Sequence, residues 1–284
     1  MLLLSNKNET SSENVRKLAM IDSLYPPDQV SVDSLTNEKN DDIQESIRSL
    51  QYSADRQVQL AMLRGHFGPD ALDQIEQLDH IQNKSLTIAF WDISGFSTLC
   101  ESLKEHTYLI VEFLKEFVNQ ATKIIFNHGG ILDKFIGDGI LALFGFPSRD
   151  EDGTIGAISA VDAALELKER FEAIRNKWIP IFERNINDRI LIGVKCGINT
   201  GSAIVVNIGT DTQDQFTAVG TSVNFASRLE GLANKDQLLV STTTKSRIEA
   251  SFLLERSEVS SNIAIKGFEK VLEYYEVRGR VKDY

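Results

Sequence analysis

Two aspartates stand at positions where a folded sheet could bring them together. Asp92 ends an apolar, β-rich run at 86–91, and Asp138 lies in a Gly-Asp-Gly turn at 137–139 between two further short apolar runs. They are 46 positions apart, but they would meet if their strands were neighbours in one sheet. Mg²⁺ is commonly held by one or two carboxylates together with substrate phosphates, and paired divalent ions support phosphoryl displacement. The pair therefore indicates an acidic metal site, although either aspartate alone is more typical of local hydrogen bonding in a turn.

A second group of polar residues lies on a predicted helix at 220–230. Asn224 and Arg228 are four residues apart, so they share one helical face while neighbouring apolar side chains face a core. Thr221 or Ser222 is placed to cap the start of this helix. An arginine guanidinium makes directed, charge-assisted hydrogen bonds to a phosphoryl group. The alternative is an exposed helix whose arginine pairs with a nearby carboxylate.

Other catalytic patterns are missing from the sequence. It contains no Gly-x-x-x-x-Gly-Lys-Ser/Thr phosphate loop, no dinucleotide fingerprint, no Cys-x-x-Cys pair, no His-Glu-x-x-His and no Gly-x-Ser-x-Gly. The four histidines are scattered, so none is placed as a base or a metal ligand. The two cysteines, Cys100 and Cys196, cannot build a disulfide framework, and we predict a reducing, cytoplasmic location.

The elements that would position the polar residues alternate between strands and helices. Strand-like runs occur at 86–91, 131–136, 140–146, 190–198 and 203–208, the last two joined at 199–202, with further strands near Leu238 and Val277. Helical spacing occurs at about 108–126, 152–184 and 220–232. This order predicts an α+β fold in which helices lie against a mainly antiparallel sheet of about seven strands.

The region before the first strand divides into two parts. Residues 1–46 are rich in Ser, Asn, Asp and Glu, with too little apolar material to offset ordering entropy, which predicts a flexible arm. Residues 47–80 show helical spacing and form a predicted helical lead, either packed on the following core or acting as a dimerising or signalling linker. The catalytic domain is then expected at 81–284.

Charge and hydropathy exclude two classes of protein. The 284 residues include 30 Lys and Arg against 41 Asp and Glu, a formal net charge of −11, which argues against a protein that coats nucleic acid. Uninterrupted apolar runs stop after the length of a strand, far below the roughly 20 residues that a membrane-spanning helix needs. We therefore predict no nucleic-acid partner and no membrane span in this chain.

Four sequence blocks resemble the class III nucleotidyl cyclase catalytic domain, in the order in which that family has them. They are FWDISGFS at 90–97, DKFIGDG at 133–139, GINTG at 197–201 and TAVGTSVNFASRLE at 217–230. The resemblance extends over about residues 86–277. It implies the family's ferredoxin-like α+β fold and an adenylate cyclase that converts ATP to 3′,5′-cyclic AMP and pyrophosphate.

The resemblance also implies which residues bind metal and base. Asp92 and Asp138, with the Ile93 carbonyl, match the ligands of two divalent cations, Mg²⁺ or Mn²⁺. Lys134 and Thr217 match the pair that reads the purine, and Lys with Thr is similar to an adenine-selective bacterial branch. Guanylate cyclases typically have Glu and Cys at these two places. A guanylate cyclase is therefore the nearest enzyme alternative.

The remaining implied roles concern the ribose and the phosphates. Asn224 matches the residue that orients the ribose, Arg228 the one that stabilises the transition-state phosphate, and Lys266 a phosphate-binding lysine. Two positions depart from the pattern, because Ser202 stands where several relatives have a basic residue and Val206 where a glycine is frequent.

The resemblance further implies a head-to-tail homodimer with two composite active sites. In the family, the aspartates come from one subunit and the ribose and transition-state contacts from the other, and this chain holds both sets. A catalytically silent cyclase-homology module that binds nucleotide and regulates a partner is the alternative from another class. The sequence keeps all four polar residues of the expected site, and this favours an enzyme over the silent module: Asp92, Asp138, Asn224 and Arg228.

Overall fold

Two long antiparallel strands form the centre of the sheet. Strand β1 (Gln82–Ser94) pairs along its whole length with β4 (Gly193–Asn207), so that Asp92 lies opposite Lys195. This pairing places the first predicted aspartate near the end of the sheet where β4 begins.

The computed structural model describes residues 82–146, 152–186, 189–208, 216–256 and 273–281, which all belong to one compact unit. The predicted arm and the helical lead lie outside these residues, so the domain boundaries stay predictions. None of the helices in the described ranges combines the length and the hydropathy of a membrane span.

Six further strands complete the sheet: β2 (Ile131–Ile136), β3 (Gly139–Phe144), β5 (Phe216–Val219), β6 (Leu238–Ser241), β7 (Phe252–Arg256) and β8 (Tyr274–Arg280). The strand order is β2-β3-β1-β4-β6-β8-β7, and β5 pairs with the far end of β4. Only the β4–β6 pairing is parallel among the pairings of the described strands. The predicted α+β fold with a mainly antiparallel sheet is confirmed, with eight strands instead of about seven.

Five helices accompany the sheet in the described residues: α1 (Phe96–Ser102), α2 (Thr107–Asn127), α3 (Thr154–Glu183), α4 (Thr221–Leu232) and α5 (Thr242–Ile248). The predictions for α2, α3 and α4 are confirmed within a few residues. The short helix α5 and strand β7 carry too little periodicity to be found from the sequence.

The two faces of the sheet are covered by different helices. Along β1, Ala89, Trp91 and Ile93 belong to the large core formed with α2 and α3, while Leu86 and Ile88 belong to a second core that includes Ala226 of α4. Side chains alternate between the faces of a strand, so Asp92 lies on the face that α4 covers. The metal-binding candidate and the helix of the arginine therefore share one side of the sheet.

The predicted break at 199–202 is wrong, because β4 continues through it as a single strand. Its glycines accommodate the close approach of α4. A Cβ at Gly197 would lie 2.1 Å from the backbone nitrogen of Glu230, and a Cβ at Gly201 would lie 2.5 Å from Ser222 Oγ. The Gly-containing block that resembles a turn in the sequence is thus a docking surface for a helix.

Candidate active site

The two aspartates come together where β1 ends beside the turn between β2 and β3. Strand β3 pairs with β1, and this places Ile140 opposite Trp91 and the turn residue Asp138 next to the end of β1. The backbone N–H of Ile93 donates to Asp138 Oδ2 over 3.3 Å. The proximity expected from the sequence is therefore present in the structure, whereas ligation by the Ile93 carbonyl stays a prediction.

The electrostatics of the pair suit a divalent cation. Burial, followed by the neighbouring negative charge of Asp92, raises the pKa of Asp138 from its ordinary 3.8 to about 6. Two half-buried carboxylates held this close repel each other, and a bound cation would relieve that repulsion. Among the described residues no group of three or more His, Cys, Asp or Glu side chains could hold a metal ion. Two carboxylates with the remaining ligands supplied by phosphates and water match the chemistry of Mg²⁺.

A lysine that the sequence did not single out lies beside this pair. Lys195 Nζ is 3.3 Å from Asp92 Oδ2 and 2.7 Å from Glu230 Oε1, so it joins strand β1 to helix α4. Burial raises the pKa of Glu230, and the charge of Lys195 opposes that shift. Alternation along β4 puts Lys195 on the same face as Gly197, and this pattern was the available sequence signal.

The two residues expected to read the purine are in direct contact. Lys134 Nζ donates to Thr217 Oγ1 over 2.8 Å. Both also contact Asp133, a carboxylate that is 1% exposed: it lies 3.0 Å from Lys134 Nζ and accepts from the Thr217 hydroxyl at 2.8 Å and from the Ala218 N–H at 3.2 Å. Asp133 stands in one of the four blocks, but sequence reasoning gave it no role.

Helix α4 presents Asn224 at the surface and holds Arg228 half-buried, while Phe225, Ala226 and Leu229 are buried. The expected cap by Thr221 or Ser222 is wrong, because Gly220 is the N-cap and makes no side-chain cap bond. Ser222 Oγ instead donates to the carbonyl oxygen of Ser202 over 2.7 Å and ties the helix to β4.

The other sequence predictions fall into two groups. Lys266 lies outside the described residues. Cys100 and Cys196 are free; Cys196 is buried and Cys100 half-buried, and burial raises the pKa of both thiols. Low thiolate content makes a nucleophilic role for either cysteine unfavourable.

Comparison with known proteins gives one family. The family model described as "Adenylate and Guanylate cyclase catalytic domain" matches residues 78–279. The adenylate cyclase, terminal-differentiation specific, of Dictyostelium discoideum is 31% identical over 196 residues, which cover 68% of this chain and 9% of that protein. Adenylate cyclase 1 of Rhizobium meliloti is 30% identical over 222 residues, which cover 77% of this chain and 30% of that protein. The chain thus spans well under half the length of these relatives.

Solved structures of both cyclase types resemble the chain. The adenylyl cyclase CyaB from P. aeruginosa has a TM-score of 0.63 and 32% identity, with 72% of this chain and 97% of that one covered. The guanylyl cyclase Cya2 has a TM-score of 0.61 and 26% identity, with 72% of this chain and 96% of that one covered. The fold is therefore shared by proteins named adenylyl cyclase and by proteins named guanylyl cyclase.

Proposed function

Because the chain belongs to the adenylate and guanylate cyclase catalytic domain family, we propose that it is an adenylate cyclase. It would convert ATP to 3′,5′-cyclic AMP and pyrophosphate with two divalent cations, Mg²⁺ or Mn²⁺, in a homodimer. The observation that carries this proposal is the convergence of Asp92 and Asp138 at the end of β1.

The reaction needs no protein nucleophile. The ribose 3′-hydroxyl of ATP releases its proton to water and attacks its own α-phosphorus. The new P–O bond closes the ring, the bond from the α-phosphorus to the oxygen that bridges it to the β-phosphorus breaks, and pyrophosphate leaves with that oxygen. Asp92 and Asp138 would hold the cations, which when bound lower the pKa of the attacking hydroxyl and neutralise the triphosphate. This chemistry is consistent with a sequence that has no nucleophile-and-base motif.

Adenine selectivity is proposed to come from Lys134 and Thr217. An ammonium group only donates hydrogen bonds, so Lys134 suits the ring N1 of adenine, which accepts, better than the N1–H of guanine. The relatives that match this chain include an adenylate cyclase and a guanylate cyclase, so family membership does not decide between ATP and GTP. We therefore assign the selection of ATP to the residues that contact the base. A guanylate cyclase is the alternative.

Helix α4 would supply the contacts that position the ribose and stabilise the transition state. Asn224 is exposed and Arg228 lies one turn further along the same face. Arg228 would meet negative charge that develops on the α-phosphoryl oxygens, a role whose loss costs on the order of 10²–10³ in rate. In the proposed dimer these residues serve the site whose aspartates come from the partner.

A product assay tests the proposal directly. The protein is incubated with Mn²⁺ and either ATP or GTP at equal concentration, and the product is identified by mass, with Asp92→Asn as the matched inactive control. We expect cyclic AMP from ATP and much less cyclic GMP from GTP. Binding of ATP without any cyclic product would favour the silent module, and a preference for GTP would favour the guanylate cyclase.

A mixing experiment tests the composite site. Asp92→Ala and Arg228→Ala proteins should each be nearly inactive, because each lacks one half of every site in its homodimer. Mixed together, they form heterodimers in which one of the two sites is intact, so activity should return in part. Absence of recovery, in mixtures shown to exchange subunits, would contradict the shared site.

A further inference from the structure

We propose that Asp133 fixes the direction of the Thr217 hydroxyl and thereby makes it an acceptor toward the purine, so that Asp133 is a positioning residue for adenine selectivity. The inference rests on the proposed function, because it concerns the base contacts of that same site. Asp133 itself does not contact the substrate. It determines which hydrogen bonds Thr217 and Lys134 can make with the purine.

The hydroxyl of a threonine can act either as a hydrogen-bond donor or as an acceptor. It can donate one hydrogen bond and accept two, and its hydrogen rotates to suit the surroundings. Adenine presents a donor at its 6-amino group, whereas guanine presents an acceptor, O6. A freely rotating hydroxyl could therefore bond with either base, and Thr217 alone would not discriminate between them.

The structure removes that freedom. The Thr217 hydroxyl donates to Asp133 Oδ2 over 2.8 Å, with the Ala218 carbonyl as a more distant acceptor at 3.4 Å, so its hydrogen points into the protein. One lone pair of the same oxygen accepts from Lys134 Nζ at 2.8 Å. The lone pair that is left can only accept. A carboxylate is well suited to this task because, when ionised, it accepts hydrogen bonds and never donates them.

The same carboxylate also orients the lysine. Lys134 Nζ forms an ion pair with Asp133 Oδ1 at 3.0 Å and donates one of its three N–H bonds to the Thr217 hydroxyl. A further N–H of Lys134 can turn toward a ligand, since the Lys134 side chain is 31% exposed. Thr217 is only 3% exposed, so a ligand would reach its hydroxyl from the side on which Lys134 lies.

The two remaining bonding positions form a pattern. Thr217 offers one acceptor and Lys134 offers one donor, side by side. Adenine has the complementary donor and acceptor in its 6-amino group and N1, while guanine has them reversed in O6 and N1–H. A site that is built to hydrogen-bond one arrangement rejects the other because its polar groups are left unpaired.

Asp133 is held firmly enough for this role. It is 1% exposed and accepts a second hydrogen bond, from the Ala218 N–H at 3.2 Å, on the oxygen that also takes the Thr217 hydroxyl. The sheet fixes both partners, since Thr217 and Ala218 pair with Val206 and Val205 of β4. Neither the carboxylate nor the hydroxyl can turn without breaking one of these bonds.

The test compares kcat/KM for ATP, GTP and purine riboside triphosphate, which lacks the 6-amino group, at fixed Mn²⁺. Asp133→Asn has nearly the same shape, but its amide nitrogen must face either the Lys134 ammonium or the Thr217 hydroxyl together with the Ala218 N–H. In either orientation the fixed pairing of one acceptor with one donor is lost. We expect the ATP to GTP ratio of kcat/KM to fall about tenfold, mainly through KM, with a smaller penalty for purine riboside triphosphate relative to ATP. Thr217→Val, which deletes the hydroxyl, should lower the same ratio, and the double variant should lower it no further.

Two further variants separate this role from general stability. Asp133→Glu keeps the charge beside Lys134 but displaces its oxygens, so it should fold and also lose selectivity. Asp236→Asn is the matched control, because Asp236 likewise accepts from a backbone N–H, that of Val194, and pairs with Arg175 at 2.8 Å, yet lies outside the proposed site. Its ATP to GTP ratio should equal that of the unaltered protein.

The outcomes are distinguishable from failure of the proposed function. If the unaltered protein makes no cyclic product, the proposed function fails, and the same ratios are then measured as dissociation constants by calorimetry. If Asp133→Asn and Asp133→Glu both keep the ratio of the unaltered protein within twofold, the positioning role is overturned. That conclusion holds whether or not Thr217→Val changes the ratio.

Discussion

Asp138→Asn should raise the free energy of unfolding of the metal-free protein at neutral pH. In the folded state, burial and the charge of Asp92 raise the pKa of this carboxyl from 3.8 to about 6. A shift of about two pKa units corresponds to roughly 3 kcal/mol. Asp138 is only half-buried, so solvent screening reduces the expected gain to about 1–2 kcal/mol. The amide removes the charge but keeps an oxygen for the Ile93 N–H.

The pH dependence follows from the sign of the shift. Above pH 6 the carboxyl is charged in both states, and the folded protein carries the whole penalty. Between pH 6 and 3.8 the folded state takes up the proton first, so the penalty shrinks as pH falls, and below 3.8 it is absent. The advantage of the asparagine variant should therefore be full at pH 7.5, smaller at pH 5 and lost near pH 4.

Urea unfolding with EDTA, followed by circular dichroism at several pH values, measures this difference. Asp236→Asn is the control, since it weakens an ion pair with Arg175 and should lower stability at pH 7.5. Adding Mn²⁺ should stabilise the unaltered protein through binding, and Asp138→Asn should gain less. A variant that is less stable than the unaltered protein at pH 7.5, or whose gain does not change with pH, would refute the reasoning.

Three other substitutions probe how the site is supported. Gly197→Ala puts a methyl group against the backbone nitrogen of Glu230, 2.1 Å away, and should cost about 3 kcal/mol in urea unfolding, whereas an unchanged midpoint would contradict the close packing of α4 on β4. Lys195→Met leaves Asp92 and Glu230 without their shared cation and should cost about 2 kcal/mol, and the double variant with Glu230→Gln should lose less than the sum of the single changes. Phe117→Ala removes a fully buried ring from the core under α2 and should cost about 3–5 kcal/mol, as measured by the thermal midpoint and unfolding enthalpy.

Much of the fold was predictable because its signals are local. The apolar face of α2 repeats with the helical period, and the runs at β1, β2 and β3 have strand length with glycines at their ends. The predicted break inside β4 failed for a reason that is not local. Gly197 and Gly201 serve a helix that arrives from more than twenty residues further along the chain.

The sequence by itself determined the residue types of the site and the elements that carry them, since Asp92, Asp138, Asn224 and Arg228 each follow a recognisable local pattern. The tertiary structure decided which other side chains contact the site residues. Lys195 reaches Asp92 and Glu230 at once because strand pairing sets β1 opposite β4 while α4 crosses above them. Asp133 meets Thr217, 84 positions away, because β2 and β5 contact each other although they are not paired neighbours in the sheet. Hydrogen-bond direction and charge pairing depend on distances of a few ångströms between distant parts of the chain, and packing of the whole domain fixes those distances.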